Sequence, residues 1–320
     1  MIMCTIYVKC VLVNTMHAIA MVVIATAFIL AYLLVVGIDS MEYHHKTVSF
    51  DETYKIVQIS DTQIRYMDEP CRNIESEWHC DAWNTTAFVH SLVSAEQPDL
   101  VIFTGDNVRG YTNSQAWNVL KNLLPNVSFA LVTGNHDRET HSMSIPVMYR
   151  NIRQSFPSAL LGNTQLLLTS GDTEYQLFMF DHAYTQSGWA PIQRHQIQWY
   201  TRHRRNMTTL MFNHIPLRQY ENVSSVVGTW RNVIHYANKD SFWAHANNVL
   251  VFSAGHNHRN DFCGKYDASW LCYAGSAGYT THGYTGWRRR ARVFILNQTG
   301  VLTYKRLDDM STVDTQFFLI

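Results

Sequence analysis

The chain has no excess charge of either sign. Lys plus Arg and Asp plus Glu number 25 each among its 320 residues. Balanced charge gives no bulk attraction to polyanions, and no nucleic-acid partner is expected. No two cysteines stand at the C-x-x-C spacing of a zinc knuckle. Neither an internal repeat nor a low-complexity tract occurs, which excludes solenoid and compositionally biased classes. Only Arg202-His203-Arg204-Arg205 and Arg288-Arg289-Arg290 form basic runs, and each is expected to be a solvated face. What remains is a globular composition, 47% hydrophobic, 13% aromatic and 16% charged. The length suits one large domain or two small ones.

One segment lacks charge altogether. Ala18 to Ile38 is 21 residues with no charge, and at about 1.5 Å per helical residue it spans a hydrocarbon core of about 30 Å. A cleaved signal usually carries an apolar core of about 7–15 residues. Here the run is longer, and Val35-Val36-Gly37-Ile38-Asp39 is a poor cleavage site. The expectation is a short segment 1–17, then an uncleaved transmembrane signal anchor at 18–38; the alternative is secretion after cleavage. Lys9 before the run, with Asp39 and Glu42 after it, favours a lumenal or extracellular body. Cys71 and Cys80, like Cys263 and Cys272, lie nine residues apart. In an oxidising compartment these four are disulfide candidates; the alternative is four free buried thiols. Sequons at Asn84, Asn126, Asn206, Asn222 and Asn297 are glycosylation candidates.

Residues 39–50 read as a polar connector, 51–308 as the body and 309–320 as an unassigned tail. Within the body, short apolar runs alternate with helical spacing. Strands are expected at Lys55–Ile59, Leu100–Phe103, Phe129–Val132, Gln165–Leu168, Tyr175–Phe180, Thr209–Phe212 and Val249–Phe252. Helices are expected at Thr85–Gln97, Asn113–Leu124, His141–Phe156 and Gln193–Arg204. Arg290–Leu296 and Val301–Leu307 read as a closing hairpin around Asn297-Gln298-Thr299-Gly300. Continuous apolar strands alternating with helices imply a layered α/β domain whose sites form beyond the carboxyl ends of the strands.

Five segments set metal-ligand residues just after such runs. They are Asp61-Thr62-Gln63, Gly105-Asp106-Asn107, Gly134-Asn135-His136-Asp137, Asn213-His214 and Gly255-His256-Asn257-His258. Carboxylates suit hard or borderline divalent ions and can bridge two of them. Asn135 offers a neutral oxygen, and His214, His256 and His258 offer imidazole nitrogen. The glycines allow sharp turns and close backbone approach. Taken singly, an Asp after a strand is commonly a helix cap, and Gly-Asn-His-Asp is usually a turn. The ordered set is what points to phosphoester chemistry at two metals.

This set resembles the calcineurin-like metallophosphoesterase superfamily from about Lys55 to Leu307. Asn213-His214-Ile215-Pro216-Leu217, Asn260-Asp261-Phe262-Cys263-Gly264, Leu271-Cys272-Tyr273 and Arg289-Arg290-Ala291-Arg292-Val293 are similar to its short purple-acid-phosphatase-like branch. The resemblance implies a four-layer α/β/β/α sandwich and a phosphoric ester hydrolase using a dinuclear metal site and a bridging hydroxide. It implies Asp61, Asp106 and His258 on one ion, and Asp106, Asn135, His214 and His256 on the other. His136 would be the acid over the scissile ester, with Asp137 orienting it and Asn107 and His182 nearby. The ions would be two of Mn, Fe, Zn or Mg. Phosphorylated small molecules or phosphoproteins would be substrates, monoesters before diesters.

Three departures qualify this. Gln63 stands where most of the superfamily has a first-metal His; its neutral, harder oxygen predicts weaker binding or a preference for Mn, Mg or Fe over Zn. Arg109, not Tyr, stands three residues after the bridging Asp, with Tyr111 beyond, so no iron–tyrosinate colour is expected. Asn257 replaces a frequent Asp and is expected to face away from the metals. The rival expectation is a pseudophosphatase serving as a binding or scaffold module, with Gln63 as its specific support. Asp181-His182 reads as loop structure, Trp189 and Trp199 as core, and His44-His45 as solvated. Ser60 has no His and carboxylate placed to make it a nucleophile.

Overall fold

The computed structural model describes residues 21–24, 26, 43–65, 69–73, 80–109, 120–138, 144–182, 184–185, 188–238, 240–246 and 248–320. The expected anchor lies outside these residues except for 21–24 and 26, which are helical. Among the described residues no helix is long and apolar enough to cross a membrane. Tyr111 and most of the helix expected at Asn113–Leu124 also lie outside them.

Glu42–Ile320 forms one compact unit. Its strands are β1 (Tyr43–Ser49), β2 (Tyr54–Ile59), β3 (Leu100–Thr104), β4 (Phe129–Val132), β5 (Leu160–Leu161), β6 (Asn163–Ser170), β7 (Thr173–Met179), β8 (Tyr184–Thr185) and β9 (Gly188–Trp189). They continue with β10 (Thr208–Phe212), β11 (Ser224–Val227), β12 (Val249–Ala254), β13 (Cys263–Tyr266), β14 (Ser269–Tyr273), β15 (Arg290–Asn297), β16 (Gly300–Leu307) and β17 (Thr312–Leu319). The α-helices packed on them are α1 (Trp83–Glu96), α2 (Ile145–Ser155) and α3 (Arg194–His203).

Two large sheets result, one in the order β1-β6-β7-β10-β12-β14-β13-β11 and the other β17-β16-β15-β2-β3-β4-β5, with β8-β9 as a separate two-stranded sheet. Period-two alternation decides what each face buries. Ile56, Ile102 and Val132 meet Leu166, Leu177, Leu210 and Val251 between the sheets. Val57, Val101 and Leu131 point the other way, onto Phe88, Val89 and Leu92 of α1 and Met148 and Ile152 of α2. On the far side, Phe178, Met211 and Phe252 pack against Ile197, Trp199 and Tyr200 of α3. The order helix, sheet, sheet, helix is therefore dictated by strands apolar on both faces.

Several expectations need correction. The connector at 39–50 carries β1, which pairs in parallel with β6 over Tyr43–Ser49. His45 bonds Gln165 there at 2.8 Å while remaining exposed. The tail at 309–320 carries β17, antiparallel to β16. The basic run at Arg288 is solvated only at its first residue, because Arg289 and Arg290 are buried. The run at Arg202 is open to solvent as expected. Both cysteine pairs are bonded, Cys71 to Cys80 and Cys263 to Cys272. The second bridges directly opposed residues of the β13–β14 hairpin.

Candidate dinuclear metal site

The five segments leave the carboxyl ends of β2, β3, β4, β10 and β12. Strands β2, β3 and β4 are parallel neighbours, as are β10 and β12. Their ends therefore open on the same edge of the sandwich, and the chain must turn there.

The turns use unusual backbone. Asp61, Gln63, Asp106 and His256 all adopt left-handed conformations, with φ of 57°, 43°, 51° and 69°. Such values cost an ordinary residue about 1 kcal/mol or more and persist only where surroundings hold them. Here, Asp61 N donates to Gly105 O at 3.1 Å and Gln63 N to Asp106 O at 2.8 Å. Glycine is required where the turns meet. A Cβ on Gly134 would lie 2.3 Å from Asp106 Oδ1, and one on Gly255 1.9 Å from Ser60 Oγ.

The donors converge in two overlapping triads. Ligand atoms of Asp61, Asp106 and His258 lie within 4.8 Å of one another, as do those of Asp106, His214 and His256. Asp106 belongs to both. His258 Nε2 is 3.1 Å from Asp61 Oδ1, and His214 Nε2 is 3.2 Å from both Asp106 Oδ2 and Asn135 Oδ1. Two ligands at right angles on bonds of about 2.1 Å stand about 3 Å apart, so these residues fit metal ions. The tautomers fit too. His214 Nδ1 faces Thr104 O at 2.9 Å and His258 Nδ1 faces His282 O at 3.1 Å, so each Nε2 is left to turn inward.

Gln63 enters the first triad by its amide. Its Nε2 lies 3.0 Å from Asp106 Oδ2 and 3.1 Å from His258 Nε2. Exchange of the amide N and O would present Oε1 at the same place. His136 stands at the rim with its side chain 33% exposed, Nε2 3.8 Å from Asp106 Oδ2. Its backbone N–H donates to Asp106 Oδ1 at 2.8 Å.

Around the donors lies a tight supporting shell. Ser60 Oγ donates to Asp61 Oδ2 at 2.7 Å, so this hydroxyl orients a carboxylate. Asp137 accepts from Gly134 N at 2.7 Å, Val108 N at 2.9 Å and Asn107 Nδ2 at 3.2 Å. The acid expected to orient His136 thus ties the β3 and β4 turns together. Asn257 Oδ1 accepts from His235 N at 2.9 Å, in keeping with its expected turn away from the metals. Asp181 Oδ1 accepts from Thr133 N, Thr133 Oγ1 and Tyr149 Oη, which is the expected loop role. His182 is buried and lines a small cavity with Asn213 and His214. Trp189 was expected in the core. It is instead 40% exposed on the β8–β9 hairpin, with its ring centroid 4.5 Å from that of His256. No local pattern marks a contact made across 67 residues; Trp199 is buried as expected.

The electrostatics favour cation binding. Burial raises the Asp106 carboxyl, but His214, His136 and His256 pull it well below the usual range. Burial, then the neighbouring His214 charge, pushes His256 down, so it stays neutral. Burial works against the charged form of His214, yet Asp106 and Asp61 lift it to about 9; ion binding must expel that proton. Burial and the Asp106 charge raise Asp137 to about 7.

Comparison with known proteins agrees with this geometry. The calcineurin-like phosphoesterase family matches residues 54–260. The chain is 28% identical to a protein named probable inactive purple acid phosphatase 28 from Arabidopsis thaliana, over 83% of this chain and 84% of that one. It is 25% identical to probable inactive purple acid phosphatase 29 of the same plant, over 84% and 86%. A dimetal phosphatase from Danio rerio shares the fold at a TM-score of 0.59 and 12% identity, over 84% of this chain and 99% of that one.

Proposed function

The chain belongs to the calcineurin-like phosphoesterase family, and we propose that it is a metal-dependent phosphoric ester hydrolase acting on monoesters before diesters. The observation that carries the reading is the pair of buried triads sharing Asp106. Asp61, Gln63, Asp106 and His258 would hold one divalent ion, and Asp106, Asn135, His214 and His256 the other. Two such ions, when bound, supply Lewis-acid stabilisation of a phosphoryl group and an activated water.

The chain's own residues do the rest. Ser60, Thr104 and the His282 carbonyl hold Asp61, His214 and His258 in their ligating orientations. His136, half-exposed at the open side of Asp106, gives a proton to the leaving alkoxide. Trp189 walls the site beside His256 and narrows its access to water.

A second reading has its own support. Gln63 sets a neutral amide where an imidazole would be a stronger ligand, against Asp106 and His258, and the two plant relatives named above carry the word inactive in their names. A pseudophosphatase would keep the fold and bind without turnover. Against it, every other donor is in place, and decay would be expected to remove several.

The disulfides accord with a body in the secretory pathway or outside the cell. An anchor at 18–38 and glycans on Asn126, Asn206 and Asn222, all exposed, belong to the same reading. Asn84 and Asn297 are partly buried and weaker acceptors.

One experiment decides between the readings. The full chain is made in a secretory host, its metal content measured, and p-nitrophenyl phosphate and bis(p-nitrophenyl) phosphate assayed with Mn, Fe, Zn and Mg. About two ions per chain and turnover lost in His136→Ala support the enzyme. Less than one ion, with turnover equal to that variant, supports the scaffold. Glycosidase shifts and protease protection of the body test its side of the membrane.

A further inference from the structure

Just outside the triads lies a second set of groups that the hydrolysis of a simple ester does not use. Arg259 follows His258 directly. Its guanidinium lies 4.9 Å from the centroid of the Tyr284 ring, and that of Arg231 lies 5.9 Å from the same ring. The Arg231 loop is held there by side chains that follow the last ligand segment. Asn260 Oδ1 accepts from Arg231 N at 3.1 Å and Asn232 N at 2.9 Å, and Asp261 Oδ1 accepts from Thr229 N at 2.7 Å. Tyr284 Oη donates to Arg231 O at 3.3 Å and closes the arrangement.

Neither arginine has a carboxylate within ion-pair distance among the described residues. Arg259 Nε is buried and makes no hydrogen bond. A buried N–H of a charged group without an acceptor carries an uncompensated desolvation cost. Stacking on Tyr284 engages the guanidinium face and leaves its in-plane donors for an oxyanion. The site is next door: the His282 ring lies 4.3 Å from that of His258, and the charges of Arg259 and Arg72 both act on it.

We propose that Arg259 and Arg231, held over Tyr284, form a subsite for a second phosphate group, so that the preferred substrates are small phosphoesters bearing two phosphates. This rests on the phosphatase reading for the scissile group but adds a specificity that reading does not require. The metals take one phosphate and the arginine pair takes the other through charge-assisted, fork-like hydrogen bonds.

The test compares adenosine 3′,5′-bisphosphate with adenosine 5′-monophosphate on the full chain. The bisphosphate should have a kcat/KM higher by about 10- to 100-fold, the range expected of hydrogen bonds to a charged group. Arg259→Ala and Arg231→Ala should each bring that ratio toward one, chiefly through KM, and Arg259→Lys should retain part of it. Two variants guard against one failing to fold, and calorimetric titration of the bisphosphate reads binding without turnover. Hydrolysis of both nucleotides with an unchanged ratio in both arginine variants would overturn the subsite and leave the phosphatase standing. Arginine-dependent binding with no hydrolysis would overturn the phosphatase and leave the subsite.

Discussion

His136 is the residue on which the reading of the site turns. It sits beside the donors without belonging to either triad. His136→Ala should therefore keep the metal content and lower kcat by about 10²–10⁴-fold, the usual worth of a general acid. Loss of metal together with activity would make it a ligand instead. Gln63 offers the complementary test. Gln63→His restores imidazole where an amide lies 3.0 Å from Asp106. The weaker of the two ion affinities should tighten by about 10-fold or more, read by competition with a chelator. The donors themselves are legible in sequence because ligand chemistry needs particular residue types beside glycine. The left-handed backbone at Asp61, Gln63, Asp106 and His256 is not. It arises from hydrogen bonds between turns some 40 or more residues apart, as with Gln63 N and Asp106 O.

At the scale of elements, buried strands announce themselves and edge strands do not. Leu100–Thr104 and Phe129–Val132 are buried throughout, so an apolar run marks each. Tyr43–Ser49 and Thr312–Leu319 lie on sheet edges, half or fully exposed apart from Phe318, and read as connector and tail. Their pairing is decided by partners elsewhere, such as Asn163 opposite Tyr43. The β13–β14 hairpin lies inside its sheet, between β12 and β11, yet its strands are short and Cys263-Gly264-Lys265-Tyr266 carries no continuous apolar run. The Cys263–Cys272 bridge closes a loop of about ten residues, worth about 2.5–3 kcal/mol in the chain-entropy model. The Cys263→Ala, Cys272→Ala double variant should lose about that much in urea unfolding, with further loss where Ala leaves space in the buried layer. A pH effect belongs to the short 3₁₀ turn Phe242–His245. Asp240 Oδ1 accepts from Phe242 N at 2.7 Å, and burial raises this carboxyl to about 6. A raised folded-state value gives stability that is complete below about 4 and is lost as pH rises through about 6. Asp240→Asn keeps the acceptor and removes the charge. Its melting temperature should exceed the parent's at pH 7.5, and the gap should shrink below about pH 6 and close by about pH 4; a gap independent of pH would refute the assignment.

Across the whole molecule, one acid joins the two sheets. Asp261 follows the last ligand segment at the end of β12, in the sheet that also holds β13 and β14. Its partners come from the other sheet: Arg290 of β15 and Lys305 of β16, the latter at 2.7 Å. Arg292 Nη2 also donates to the Asp261 backbone O at 2.7 Å, and Asp314 of β17 pairs with Lys305. Burial would raise the Asp261 carboxyl, but Lys305 and Arg290 hold it below its ordinary value, so it is ionised inside the sandwich. The run at Arg288 looked like a solvated face because charge in a sequence defaults to the surface; only the partner 27 positions away from Arg288 shows that its third residue is a clamp. Removing one partner of a buried pair leaves the other charges uncompensated and costs about 3–5 kcal/mol, well beyond a surface pair. Asp261→Asn should lower unfolding free energy by that amount. Because Asp261 also fixes Thr229 N at the edge of the Arg231 loop, the same variant should loosen that loop, read as faster amide exchange at residues 229–235. A loss below 1 kcal/mol would mean that Asp314 alone neutralises the cations, and that the sheets are held by their apolar interface without the ionic clamp.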